Sequence, residues 1–77
     1  MKLVEAVGRR LGGILKTKGL TQYEVAQSGG IPRSTISVIV GVKRKSVKLD
    51  TIYQICAALG ISLKTFFDDP IFDDVLD

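Results

Sequence analysis

The segment Thr21-Gln22-Tyr23-Glu24-Val25-Ala26-Gln27-Ser28-Gly29-Gly30-Ile31-Pro32-Arg33-Ser34-Thr35-Ile36-Ser37-Val38-Ile39-Val40 decides the reading of this chain. Thr21 and Glu24 have the spacing of a capping box: the hydroxyl accepts from the Glu24 amide, and the carboxylate accepts from the Thr21 amide. They open a short helix that turns Val25 and Ala26 inward, with Leu20 packing just ahead of it. Gly29-Gly30 ends this helix, because glycine takes a left-handed turn without a side-chain clash. Pro32 then sits where a first helical turn tolerates a missing N–H, starting a third helix from about residue 32 to 40. At about 100° per residue, Ile36, Ile39 and Val40 fall on its inner side. Ser34, Ser37 and Val38 point away from the core, with Arg33 and Thr35 on the flanks.

Three more helices flank this pair. Leu3, Val4, Val7, Leu11, Ile14 and Leu15 recur largely at helical spacing, giving a first helix over about 3–18 that Gly19 closes. Gly8, Gly12 and Gly13 each cost such a helix up to about 1 kcal/mol relative to alanine. Either another helix approaches closely there or this helix is soft. After the basic run Lys43-Arg44-Lys45-Ser46, the residues Leu49, Ile52, Ile55, Cys56 and Leu59 form a fourth amphipathic face, closed by Gly60. Ser62 caps a fifth helix holding Leu63, Phe66 and Phe67, and Pro70 stops it. The expected architecture is all-α with five helices. The domain is expected to span residues 1–69, followed by an acidic tail over 70–77 whose apolar positions pack on the core or on a second subunit.

Composition narrows the function. A chain of 77 residues holds one domain, and one this small buries only roughly 60% of the surface its unfolded form exposes. It must do so without staples, since Cys56 is the only cysteine and histidine is absent. No cofactor is expected. The lone thiol suits a reducing cytoplasm. No apolar run approaches the roughly 18 residues of a membrane span, and Glu5, Arg9 and Arg10 interrupt any secretory leader. No nucleophile–base pair is available, so an enzyme is not expected. Asp68, Asp69, Asp73 and Asp74 could be imagined on a metal, but a helix end and a solvated tail explain them more simply.

Charge is divided by position. Residues 1–48 carry ten basic side chains against Glu5 and Glu24, a net +8, while residues 49–77 carry Lys64 against six aspartates, a net −5; together they give the overall +3. Such asymmetry suits a protein with one side toward a polyanion.

Residues 22–41 also meet the demands of a helix-turn-helix: small Ala26 where the helices cross, Gly30 at the turn, and Val25, Ile31, Ile36 and Ile39 locking the second helix on the first. On Thr21-Gln22, Val25-Ala26, Gly30-Ile31, Ser34-Thr35-Ile36-Ser37, Lys43 and Ala58-Leu59-Gly60-Ile61-Ser62-Leu63, the chain resembles the Cro/repressor-type (XRE-like) helix-turn-helix family of phage repressors and small bacterial regulators. The resemblance covers roughly residues 9–67. It implies a lambda-repressor-like domain, double-stranded DNA as partner, and a transcriptional regulator of the repressor type.

The outer side of the third helix fits that role chemically. Arg33 can donate two hydrogen bonds to guanine O6 and N7, Ser34 and Ser37 can reach bases or phosphates, and Val38 can meet a thymine methyl. The plainer reading of Val38 is an isolated exposed apolar residue. The resemblance places Gln22 on a phosphate, with Tyr23 beside it as a further candidate or a shield for the core edge. Thr35 joins this phosphate-binding set. The resemblance also sets Lys43, Arg44 and Lys45 along a phosphate strand, where they supply affinity without sequence preference. Two departures stand out. The family's internal Arg–Glu pair is replaced by Leu15 and Val40, an expected apolar contact. The family's glycine before the loop lysine is replaced by Gly41-Val42, which implies a turn displaced by one residue.

One such domain presents a small interface, so two copies on a two-fold operator are expected, with recognition helices about 34 Å apart. The fourth and fifth helices or the tail would join them. The alternative is a protein-interaction or antitoxin-type module on the same fold, with the acidic tail meeting a protein partner.

Overall fold

Five α-helices and no strand build the molecule. The computed structural model describes all 77 residues. In order they form α1 (Leu3–Lys18), α2 (Gln22–Gly29), α3 (Arg33–Val40), α4 (Leu49–Leu59) and α5 (Leu63–Phe67), with a 3-10 turn over Pro70–Asp74. No helix is long and apolar enough to cross a membrane.

Local chemistry sets the boundaries. The Thr21 hydroxyl accepts from the Glu24 amide at 3.1 Å, and the Glu24 carboxylate accepts from the Thr21 amide at 2.9 Å, completing the capping box. Three helices end alike. Gly19, Gly30 and Gly60 take left-handed φ values of 66°, 63° and 73°. The next residues, Leu20, Ile31 and Ile61, donate their amides to the carbonyls of Leu15, Ala26 and Cys56 at 2.9, 2.9 and 3.0 Å. This is the Schellman ending, in which the residue after the glycine is apolar and packs inward; all three lie on the core. Ser62 caps α5 by accepting from the Thr65 amide at 3.0 Å. The two prolines act slightly differently from expectation. Pro32 is the residue before α3 rather than its first turn. α5 ends at Phe67, and Pro70 opens the 3-10 turn instead of stopping the helix.

The core draws on all five helices: Leu11, Ile36, Ile55 and Phe66 are fully buried, and α2 adds buried Val25 and Ala26. Burying side chains of this size stabilises by about 1.5–3 kcal/mol each relative to leaving them exposed. α2 lies against α3 and α4, α1 crosses α3, and α4 carries α5. Tertiary packing answers the question raised by the glycines of α1. A Cβ on Gly8 would stand 2.5 Å from the Ile39 carbonyl oxygen, so α3 approaches α1 closely at that point. A Cβ on Gly12 would meet Val40 Cγ1 at an ordinary 3.8 Å, and one on Gly13 would face open space. Leu15 is buried and Val40 packs half-buried on the core, so both positions of the family's ion pair are apolar, with Gly12 beneath the Val40 methyl.

Both ends of the chain close on each other. The Met1 ammonium donates to the Asp74 carbonyl at 2.9 Å, and the Leu76 amide donates to the Met1 carbonyl at 2.9 Å. Asp77 accepts the Leu3 amide at 2.7 Å, satisfying an α1 donor that the Lys2 side chain leaves uncapped. Phe72 of the 3-10 turn stacks near Phe66 and Phe67, with centroid distances of 6.2 and 5.0 Å. Arg10 fastens the same region: Nε donates to the Phe66 carbonyl at 2.7 Å, Nη2 to the Thr65 carbonyl at 2.8 Å, and Nη1 to Asp69 at 3.2 Å.

Candidate nucleic-acid interface

α2, the Gly30–Pro32 turn and α3 stand as a helix-turn-helix, with Ile36 and Ile39 of α3 in the core and Arg33, Ser34 and Ser37 exposed on its other side. No side chain caps the start of α3 and no acidic residue lies in its first turn. Its positive dipole end is therefore open to an anion. Gln22 is half-buried in the first turn of α2, and Tyr23 beside it is exposed. Tyr23 and Arg33 share a shallow concavity where the two helices meet.

Val38 does not stand clear of the fold as helical spacing alone suggests. It is half-buried and packs at the core edge, because the chain after α3 folds back along it. The Lys43 amide donates to the Val38 carbonyl at 2.9 Å. Val38 and half-buried Thr35 instead form the floor of a concavity between α3 and the start of α4, ringed by Arg44, Lys45, Lys48 and Thr51. Lys48 and Thr51 are the additions that sequence reasoning missed. Lys48 lies three residues past Lys45 and counted only among the ten basic side chains of residues 1–48, so no local pattern linked it to α3. Lys43 is exposed outside this ring, its side chain lying back against Gly41.

The charges differ in their satisfaction. Only two ion pairs form, Arg9–Glu5 at 2.7 Å and Arg10–Asp69 at 3.2 Å. Arg33, Lys43, Arg44, Lys45 and Lys48 have no carboxylate partner. Exposure and salt screening make such a cluster tolerable, and its summed field favours an incoming polyanion.

The turn leading into the basic loop is not displaced. Gly41 keeps an ordinary helical φ of −80°, and the left-handed position falls on Val42, at φ 54°, directly before Lys43. A β-branched residue there is a true conformational outlier, at a cost on the order of 1–3 kcal/mol. Gly41 is needed for space instead, since a Cβ there would lie 3.1 Å from the Ser37 carbonyl oxygen. Cys56 is no part of this surface. It is buried among core side chains, and burial pushes its thiol up against the smaller opposing pull of the Arg10 charge; a thiol held neutral is inert.

These features define a helix-turn-helix domain with a basic, unpaired outer face. Residues 10–70 match the family model of the Cro/C1-type helix-turn-helix DNA-binding domain, and the chain belongs to that family. It is 35% identical over 65 residues to the HTH-type transcriptional regulator PuuR of Escherichia coli (strain K12) and to that of Shigella flexneri. That match takes in 84% of this chain, which spans 35% of the length of those relatives. Among solved structures, the prophage Lp1 protein 11 superposes with a TM-score of 0.81 at 33% identity, over 97% of this chain and all of that one. The restriction-modification controller protein C.Esp1396I in a nucleoprotein complex gives 0.83 at 25% identity, over all of this chain and 97% of the other.

Proposed function

We propose that the protein is a sequence-specific double-stranded-DNA-binding repressor of transcription, working in the cytoplasm, that reads the major groove with α3. The observation that carries this reading is the group of five unpaired cations bordering the exposed side of α3, at the positions where a helix-turn-helix meets DNA. Arg33, Ser34 and Ser37 face base edges, and Val38 reaches a thymine methyl with the part of its surface left open. Gln22, Tyr23, Thr35, Lys43, Arg44 and Lys45 grip phosphates, joined by Lys48. The nucleoprotein complex formed by the C.Esp1396I relative supports DNA as the partner.

Two copies on a two-fold operator give the specificity that one small interface lacks. Leu49 and Tyr53 of α4, a turn apart on its outer side and 63% and 61% exposed, offer an apolar surface for a second subunit. A protein-docking tail finds less support: Met1, Leu3 and the Phe66–Phe67–Phe72 cluster engage the tail within the chain. Selection from random duplexes with the purified protein tests the proposal. It should recover a two-fold motif whose half-sites lie about one helical turn apart. Recovery of no motif at moderate salt would overturn it.

A further inference from the structure

Val42 is the one non-glycine residue held in the left-handed region, and it sits between the reading helix and the basic loop. The backbone alone would close this turn. The amides of Gly41, Val42 and Lys43 donate to the carbonyls of Ser37, Ile39 and Val38 at 2.9, 3.1 and 2.9 Å. Glycine could make the same three bonds without strain, so the valine side chain must be explained by what it touches. Its Cγ2 lies 3.0 Å from the place a Cβ on Gly8 would occupy, and Gly8 also lies under the Ile39 carbonyl. The missing side chain of Gly8 thus accommodates both the end of α3 and a methyl group of Val42, two residues past that helix.

We infer that Val42 is a positioning residue for the DNA grip: its methyl, keyed onto Gly8, ties the basic loop to α1 and keeps Arg44 and Lys45 in register with the reading side of α3. The inference rests on the DNA-binding reading above. A loop without this key keeps its charges but meets the phosphates from a wider spread of positions, so affinity falls whatever the base sequence.

Two variants separate positioning from stability. Val42→Gly removes both the strain and the key, while Val42→Ala keeps the strained Cβ and loses only the key. Each is assayed for melting temperature and for affinity toward a selected duplex and a random one. Both variants should bind both duplexes roughly fivefold more weakly, about 1 kcal/mol, while Val42→Gly melts no lower than Val42→Ala. Val42→Gly binding both duplexes as tightly as the parent would overturn the inference. So would a loss confined to the selected duplex, or one that simply follows the melting temperature. A parent protein with no duplex affinity would remove the DNA reading itself, and this inference with it.

Discussion

Around α5 the chain satisfies itself: Arg10 spends its guanidinium on two carbonyls and Asp69, three phenylalanines stack, and the two ends of the chain exchange hydrogen bonds. Around α3 and residues 41–48 the opposite holds. No cation there has an acidic partner, no side chain caps α3, and Val42 is held in a backbone conformation it disfavours. The contrast separates two tasks. One end supplies the rigidity that a small unstapled domain needs, and the other keeps unmet charge and hydrogen-bonding capacity for a partner.

Substitutions at each end should therefore have different signatures. Phe66→Ala removes a fully buried ring at the meeting point of α5, the 3-10 turn and the core. It should cost about 3–5 kcal/mol in chemical denaturation. A loss below about 1 kcal/mol would mean that the aromatic cluster is not part of the stabilising core. Arg10→Ala leaves two carbonyls and Asp69 without their donor and should cost about 2 kcal/mol. At a temperature where the variant is folded, its DNA affinity and salt dependence should match the parent. A changed salt slope would blur the division between the two ends.

On the other side the readouts exchange. Arg33→Ala should leave folding stability within about 0.5 kcal/mol, yet lose about 1–3 kcal/mol of binding to a preferred site. Equal losses on preferred and random duplexes would move Arg33 from base reading to phosphate contact. Arg44→Ala should weaken all sequences alike and flatten the slope of log affinity against log salt by about one unit. An unchanged slope would take Arg44 off the phosphate strand.

The smallest effect concerns Cys56. Burial raises the thiol above its ordinary value, so the unfolded chain ionises first as pH rises. The associated stability is intact below the ordinary thiol range and fades as pH climbs through the folded-state value. Cys56→Ala should make the alkaline decline in melting temperature shallower than in the parent, and an identical decline would remove the thiol from that linkage.

What could be read in the sequence was local. The Thr21–Glu24 box, the left-handed glycines at 19, 30 and 60, and the inward faces of α2 and α3 each depend on neighbours within a few residues. What could not be read required distant partners. Gly8 is explained only once the Ile39 carbonyl lies over it, and Arg10 only by acceptors 55 to 59 positions away. Spacing placed Val38 on the outer side but could not foresee the loop that half-covers it. Glycine preference put the turn at Gly41, whereas crowding by Ser37 explains that glycine and contact with Gly8 accompanies the strained valine. Lys48 entered the cationic ring only when α4 was set beside α3.

Base reading by the exposed side of α3 is tested most directly by selecting random duplexes in parallel with the parent and with Arg33→Ala. The parent should yield a two-fold motif, and the variant the same motif with preference lost at one base pair in each half-site. An unchanged motif in the variant, or none from the parent, would contradict the account.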